Sequence, residues 1–270
     1  MTLTTLQLSK PLGKTAVHAV GKGEPVVLIH GVGMQSAAWG PQVDFLSQTH
    51  RVLAIDMPGH GGSDPLPTGA QLPEFVAWLH DVLSELDPGR VNLVGHSMGA
   101  LVAGGFAVTH PDQVSRVALL NGVFKRAKSA SAAVIARAEE IGKGAFDLET
   151  PLTRWFGDSD TDKAACAQVS GWLSDVNIDG YATAYNAFAR GDATYAARFR
   201  EITCPFLALT GDGDLNSSPD MSRAMAAETA NGRAIVIENH RHMVNLTAPD
   251  QVNDALNDWL NSPTRGGPHD

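Results

Sequence analysis

The 270-residue chain has only two cysteines, Cys166 and Cys204, and they match no metal-ligand or redox spacing. Nothing therefore asks for a disulfide scaffold or a thiolate metal centre. Cations are also scarce. Twenty Lys and Arg face 29 Asp and Glu, giving a formal charge of -9 and a pI near 5.5. That balance argues against general nucleic-acid or anionic-membrane partners, which need clustered Lys and Arg. No apolar run approaches the length of a membrane span, and Met1-Thr2-Leu3-Thr4-Thr5 lacks a basic segment leading into an apolar one. The expected location is the cytoplasm. No internal repeat and no linker between independent domains is visible. No His-Glu-x-x-His occurs, and no Gly-x-Gly-x-x-Gly opens a helix after the first buried strand, so neither a metal nor an organic cofactor is expected.

What the chain does have is a strand, a sharp turn and a helix. Val91-Asn92-Leu93-Val94 is followed by Gly95-His96-Ser97-Met98-Gly99, and then by the small, apolar run 100–107. A serine in such a turn sits in strained backbone with its hydroxyl above the sheet. The flanking glycines are needed because side chains there would strike the neighbouring strand and helix. The helix start adds free N–H groups and a dipole that favours negative charge beside the serine, which suits acyl transfer. His96 is expected to pack beside the turn and not to act as a base.

Around this turn, strands alternate with helices. Residues 2–8 and 14–20 read as two antiparallel edge strands. The runs 25–29, 51–55, 114–120, 205–209 and 234–237 read as strands, the first two as buried on both faces. Helices are expected over 37–48, from Leu72 to Leu86, and from a capping-box-like start at Thr247-Ala248-Pro249-Asp250, with a frayed tail from Pro263. The pattern implies a mainly parallel sheet of about eight strands flanked by helices, burying roughly three quarters of the unfolded surface. Between 125 and 200 the texture changes to Ala-rich helical sequence with Trp155, Trp172, Tyr181, Tyr185 and Phe188. This reads as about four short helices capping the sheet. The expected organisation is a core from 1–124, a cap from 125–200 and a second core segment from 201–270.

Ser97 needs a base, and the base needs a carboxylate. Gly211-Asp212-Gly213-Asp214 follows one later strand and offers two carboxylates; Asn239-His240-Arg241-His242 follows the next and offers two imidazoles. Lys125-Arg126-Ala127-Lys128 is either a solvated face or a carboxylate-recognition element, and Arg137, Arg154 and Arg190 are further cap cations. His30 and His60 are expected to hold loops by hydrogen bonds.

With these residues in this order, the chain resembles the α/β-hydrolase fold superfamily over nearly its whole length. The resemblance rests on the Ser97 turn, on His30-Gly31-Val32, on Asp56-Met57-Pro58-Gly59-His60-Gly61-Gly62-Ser63, on Asp214 closing Gly-x-x-Asp, and on His242 followed by Pro249. It implies Ser97 as nucleophile, Asp214 rather than Asp212 as acid, His242 rather than His240 as base, and an oxyanion hole of the Val32 and Met98 N–H groups. Arg241 and Thr247 depart from the pattern, which commonly has Gly and Glu there. Arg154-Trp155-Phe156, Gly180-Tyr181 and residues 187–192 loosely resemble oxoadipate enol-lactonases and related ester hydrolases. The implied function is a cofactor-independent serine esterase or lactonase acting on a small molecule, with Trp155, Tyr185, Arg126 and Arg154 as candidate substrate contacts. The same triad also serves carbon–carbon or amide hydrolysis, perhydrolysis and lyase reactions, and a ligand-sensing protein is the alternative of another class. Nothing in the sequence fixes an oligomeric state.

Overall fold

The computed structural model of the protein describes residues 2–7, 13–145 and 147–264. Its first half runs β1 (Thr2–Gln7), β2 (Lys14–Val20), β3 (Pro25–Ile29), α1 (Gly40–Leu46), β4 (Arg51–Ile55), α2 (Leu72–Leu86), β5 (Val91–His96), α3 (Met98–Thr109) and β6 (Val114–Leu120). Four helices without a strand follow: α4 (Lys128–Gly142), α5 (Glu149–Trp155), α6 (Asp160–Asp175) and α7 (Ile178–Gly191). The chain then returns to the sheet with β7 (Phe206–Gly211), α8 (Pro219–Glu228), β8 (Gly232–Ile237), α9 (Val244–Thr247) and α10 (Pro249–Leu260). The eight strands form one sheet in the order β1-β2-β4-β3-β5-β6-β7-β8, parallel from β4 onward and antiparallel at β1 and β2. This is the α/β-hydrolase arrangement.

The continuous apolar strands follow from burial on both faces. In β3, Val27 and Ile29 pack with α2 and α3 residues such as Phe75, Val76, Val102 and Phe106, while Val26 and Leu28 pack with Val43, Leu256 and Trp259 from α1 and α10. A strand alternates its side chains between faces, so a sheet covered on both sides needs apolar residues at every position.

Three local expectations are corrected. β2 lies between β1 and β4, so it is an interior strand and only β1 is an edge on that side. The helix expected over 37–48 is split into a 3₁₀ turn, Ser36–Trp39, and α1. Pro41 explains the break: it lacks an N–H and is tolerated only in a helix's first turn. Thr247 does not cap α10; Ala248 occupies that place without a side-chain bond, and the Thr247 hydroxyl donates to the Met243 carbonyl at 3.1 Å. Pro249, in the first turn of α10, starts that helix instead. The tail beyond residue 264, and residue 8 of the first expected strand, lie outside the described residues.

Helices α4–α7 are fastened to the sheet layer by tight packing. A Cβ on Gly180, in the first turn of α7, would overlap the backbone of Gly59, and Gly59 itself has φ +75°. Two backbones cross there with room for no side chain. Gly180→Ala is expected to lower stability by about 1–3 kcal/mol in urea unfolding, because overpacking outweighs the roughly 1 kcal/mol gained in helix propensity. An unchanged or raised midpoint would contradict the crossing.

Candidate active site

Ser97 stands between β5 and α3 at φ 54° and ψ -112°, a left-handed conformation unusual for a residue with a side chain. A Cβ on Gly95 would overlap the Gly99 carbonyl, and one on Gly99 would overlap the Ile29 carbonyl at the end of β3. Both glycines are thus dictated by close approach. Gly31 lies against the turn as well, since a Cβ on it would fall 3.1 Å from Ser97 Cβ. Val32 follows in that loop and lines the same cavity as Ser97. Met98 begins α3 with its side chain fully buried, and a first helical residue has no intrahelical acceptor for its N–H.

The structure brings His242 and Asp214 together, whereas neither His240 nor Asp212 is among the residues lining the cavity that holds Ser97. His242 Nδ1 lies 2.8 Å from Asp214 Oδ2. With that nitrogen donating to a carboxylate, the unprotonated Nε2 is left as an acceptor, and His242 lines the cavity together with Ser97. Asp214 also accepts from Asn121 Nδ2 at 2.8 Å and from the N–H groups of Asn216 at 2.8 Å and Ser217 at 3.1 Å. Burial pushes its carboxyl pKa up, but His242, Asn121 and Asn216 outweigh burial and hold it below the ordinary value. His240 is turned to the Thr247 hydroxyl, 2.9 Å from its Nδ1, and Asp212 is exposed.

Sequence reasoning missed Asn121, which orients the acid from φ 49° at the end of β6. Its one local signal in the sequence is the Asn-Gly pair at 121–122, directly after the strand. Arg241 also has a use: its Nη1 donates to the Thr153 carbonyl at 2.9 Å and to the Phe156 carbonyl. The His242 N–H donates to the Trp155 carbonyl at 3.2 Å. The histidine loop is therefore tied to the end of α5.

Three further histidines pack around the site as neutral hydrogen-bonding wedges. His30 takes the Met57 N–H on Nε2 and pairs Nδ1 with the Gly31 carbonyl; His60 takes the Gly33 N–H on Nε2 and pairs Nδ1 with the Pro58 carbonyl. His96 Nε2 donates to the His242 carbonyl at 2.9 Å. Burial lowers all three, His60 and His96 to about 3.

Ser97 and His242 open into a cavity of about 250 Å³ beneath α4, α5 and α7. Trp155, Tyr185, Arg126 and Arg154 all line it, as does Arg137, whereas Arg190 is exposed and pairs with Glu139. Among the described lining residues there are three arginines and no carboxylate. The run 125–128 divides: Lys125 points out to Glu228, and Arg126 turns inward with a side chain only 3% exposed. Among the described residues, no group of three or more His, Cys, Asp or Glu is arranged to hold a metal, and no helix is long and apolar enough to cross a membrane.

With this fold and this turn, the chain belongs to the Alpha/beta hydrolase family, whose pattern it matches over residues 26–255. It is 53% identical over 257 residues to the (E)-2-((N-methylformamido)methylene)succinate hydrolase of Acinetobacter baylyi, covering 95% of this chain and 97% of that one. It is 26% identical over 242 residues to a putative carbamate hydrolase of Pantoea ananatis, covering 88% of each. The enol-lactonase of Burkholderia xenovorans superposes with a TM-score of 0.84 at 24% identity, over 96% of this chain and 100% of that one. The chain is a hydrolase by family.

Buried neutral histidines make the fold acid-sensitive. An unfolded histidine takes up its proton near pH 6.5, whereas His60 and His96 resist until about 3. Between those limits the unfolded chain binds more protons, so stability falls as pH falls. Each residue accounts for a loss of up to about 2 kcal/mol by pH 5. Asp214 adds nothing in that window, because its lowered pKa stabilises only above the ordinary carboxylate range and is lost below it. Thermal unfolding at pH 7.5 and 5 measures the effect; equal midpoints would contradict it.

Proposed function

We propose that the protein is a serine hydrolase that cleaves a carboxyl-derivative bond in a small, carboxylate-bearing molecule through an acyl-enzyme on Ser97. One observation carries the reading: Ser97 and the Asp214-bonded His242 share a cavity whose charged lining, among the described residues, is three arginines without a carboxylate. The succinate amide named for the relative at 53% identity carries two carboxylates beside a formyl C–N bond, and it favours amide hydrolysis over the ester or lactone chemistry that the resemblance of segments 154–156, 180–181 and 187–192 implies.

In the proposed reaction His242 Nε2 takes the Ser97 hydroxyl proton as Oγ attacks the carbonyl carbon. Asp214 holds the imidazole in the Nδ1–H tautomer and stabilises the imidazolium. The N–H groups of Val32 and Met98 receive the oxyanion, a contribution on the order of a hundredfold or more in turnover. Collapse breaks the bond to the leaving group, which departs with the proton from His242. Water then gives His242 a proton as its oxygen attacks the acyl-enzyme, and His242 passes that proton to Ser97 Oγ as the bond to the serine breaks and the acid leaves. We assign residues 125–200 as a cap between the core segments 1–124 and 201–270, with Trp155, Tyr185, Arg126 and Arg154 as substrate contacts. Two free thiols, Cys166 and Cys204, fit a reducing, cytoplasmic setting.

The test is turnover of (E)-2-((N-methylformamido)methylene)succinate beside a panel of p-nitrophenyl esters and lactones, each with Ser97→Ala in parallel. Turnover is expected on the amide, falling by at least about 10³-fold in the variant. No turnover of any substrate, or a variant within tenfold of the parent, would overturn the reading.

A further inference from the structure

Arg126 carries a feature that its ion pair does not explain. Its Nη1 lies 3.1 Å from Asp192 Oδ1, its backbone N–H donates to Asp192 Oδ2 at 2.6 Å, and its guanidinium carbon stands 4.4 Å from the Phe188 ring centroid. The two side chains are 3% and 8% exposed. Nη2 is buried and has no hydrogen-bond partner. A guanidinium is a planar fork that pairs two N–H edges with carboxylates, and an unpaired buried donor forfeits the hydrogen bonds it would make to water. That loss is made good when an acceptor arrives from the cavity, which Arg126 and Phe188 both line.

The backbone is bent to achieve this placement. Lys125 has φ 46°, left-handed for a residue with a side chain, and the turn sends Lys125 outward to Glu228 while Arg126 goes inward. Strain held beside a buried, half-satisfied cation points to a ligand and not to stability, since replacing a buried ion pair by apolar residues often costs nothing.

We propose that Arg126 is a specificity-determining residue that anchors one carboxylate of the substrate through Nη2, with Asp192 and Phe188 holding the guanidinium in place. The proposal rests on the anionic-substrate reading above and assigns the recognition to one side chain. Lys125 and Lys128 take no part, and Asp192 is a positioning residue. Because Asp192 occupies one part of the fork, the incoming carboxylate meets the other part of a cation already oriented, and little side-chain entropy is lost on binding.

The test uses succinate as the probe, by calorimetric titration of the full chain, with dimethyl succinate as the uncharged control. Wild type is expected to bind succinate, and Arg126→Gln to weaken it about tenfold or more. Arg126→Lys keeps the charge but loses the fork, and is expected to fall between the two. The control should change much less across the three proteins. Circular dichroism checks folding; if Arg126→Gln is unfolded, the comparison of Arg126→Lys with wild type decides. No succinate binding by wild type, equal binding by a folded variant, or equal losses for succinate and dimethyl succinate would each overturn the proposal. Ser97→Ala separates the two readings: it should bind succinate as wild type does, while losing turnover. Binding that depends on Arg126 in a protein without hydrolase activity would refute only the catalytic reading.

Discussion

The close approach of Gly99 to the end of β3 is the constraint from which the site follows. It lets α3 start directly beneath the strand ends, and the chain can reach it from β5 only by passing through a left-handed residue at 97. A non-glycine residue there costs about 1–3 kcal/mol, which the surrounding structure must hold in place. It does so with a fully buried β5, paired on one side to β3 and on the other to β6, and with an α3 whose residues 98–108 are all buried. The next strand end repeats the device: Asn121, after β6, is also left-handed, and its amide reaches Asp214 after β7. Successive parallel strands thus end in conformations that turn polar side chains toward one edge of the sheet.

Neutral imidazoles complete that edge. His30 and His60 pin the loops that carry Val32 and Gly59, and His96 pins the His242 carbonyl. Ion pairs in the same places would put fixed charges beside the serine. Uncharged wedges satisfy the backbone just as well and add no fixed charge of their own. The cost of the arrangement is borne as acid sensitivity of the fold.

The sheet was legible because burial on both faces forces apolar residues at consecutive positions, and β3, β4 and β5 show it. The turn at Ser97 was legible because its glycines are steric necessities. Other features left no local trace. Asn121 meets Asp214 across 93 residues and Asp192 meets Arg126 across 66, and a polar pair at such separation imposes no periodicity on either segment. Lys125-Arg126-Ala127-Lys128 reads more readily as a solvated face than as a carboxylate-recognition element, and one left-handed φ, at Lys125, sends Lys125 outward and Arg126 inward. Thr247 looked like a cap because Thr before Pro-Asp is a common helix start; its hydroxyl is engaged with Met243 and His240 instead. Arg241 looked like a defect in the histidine loop, yet it supplies the tie to α5 that a glycine could not.

A net charge of -9 does not argue against an anionic substrate. Exposed carboxylates act through water and salt, and beyond a Debye length of about 8 Å their repulsion is largely screened. Cations on the wall of a cavity act across a short distance with little water between, where each unit of charge counts for several times more. Asp192 and Asp147 lie behind Arg126 and Arg137 as counterions and do not line the cavity. Each pair is therefore a dipole with its positive end toward the site. Oriented arginines on the cavity wall therefore set the field inside it more strongly than the screened carboxylates of the exterior do.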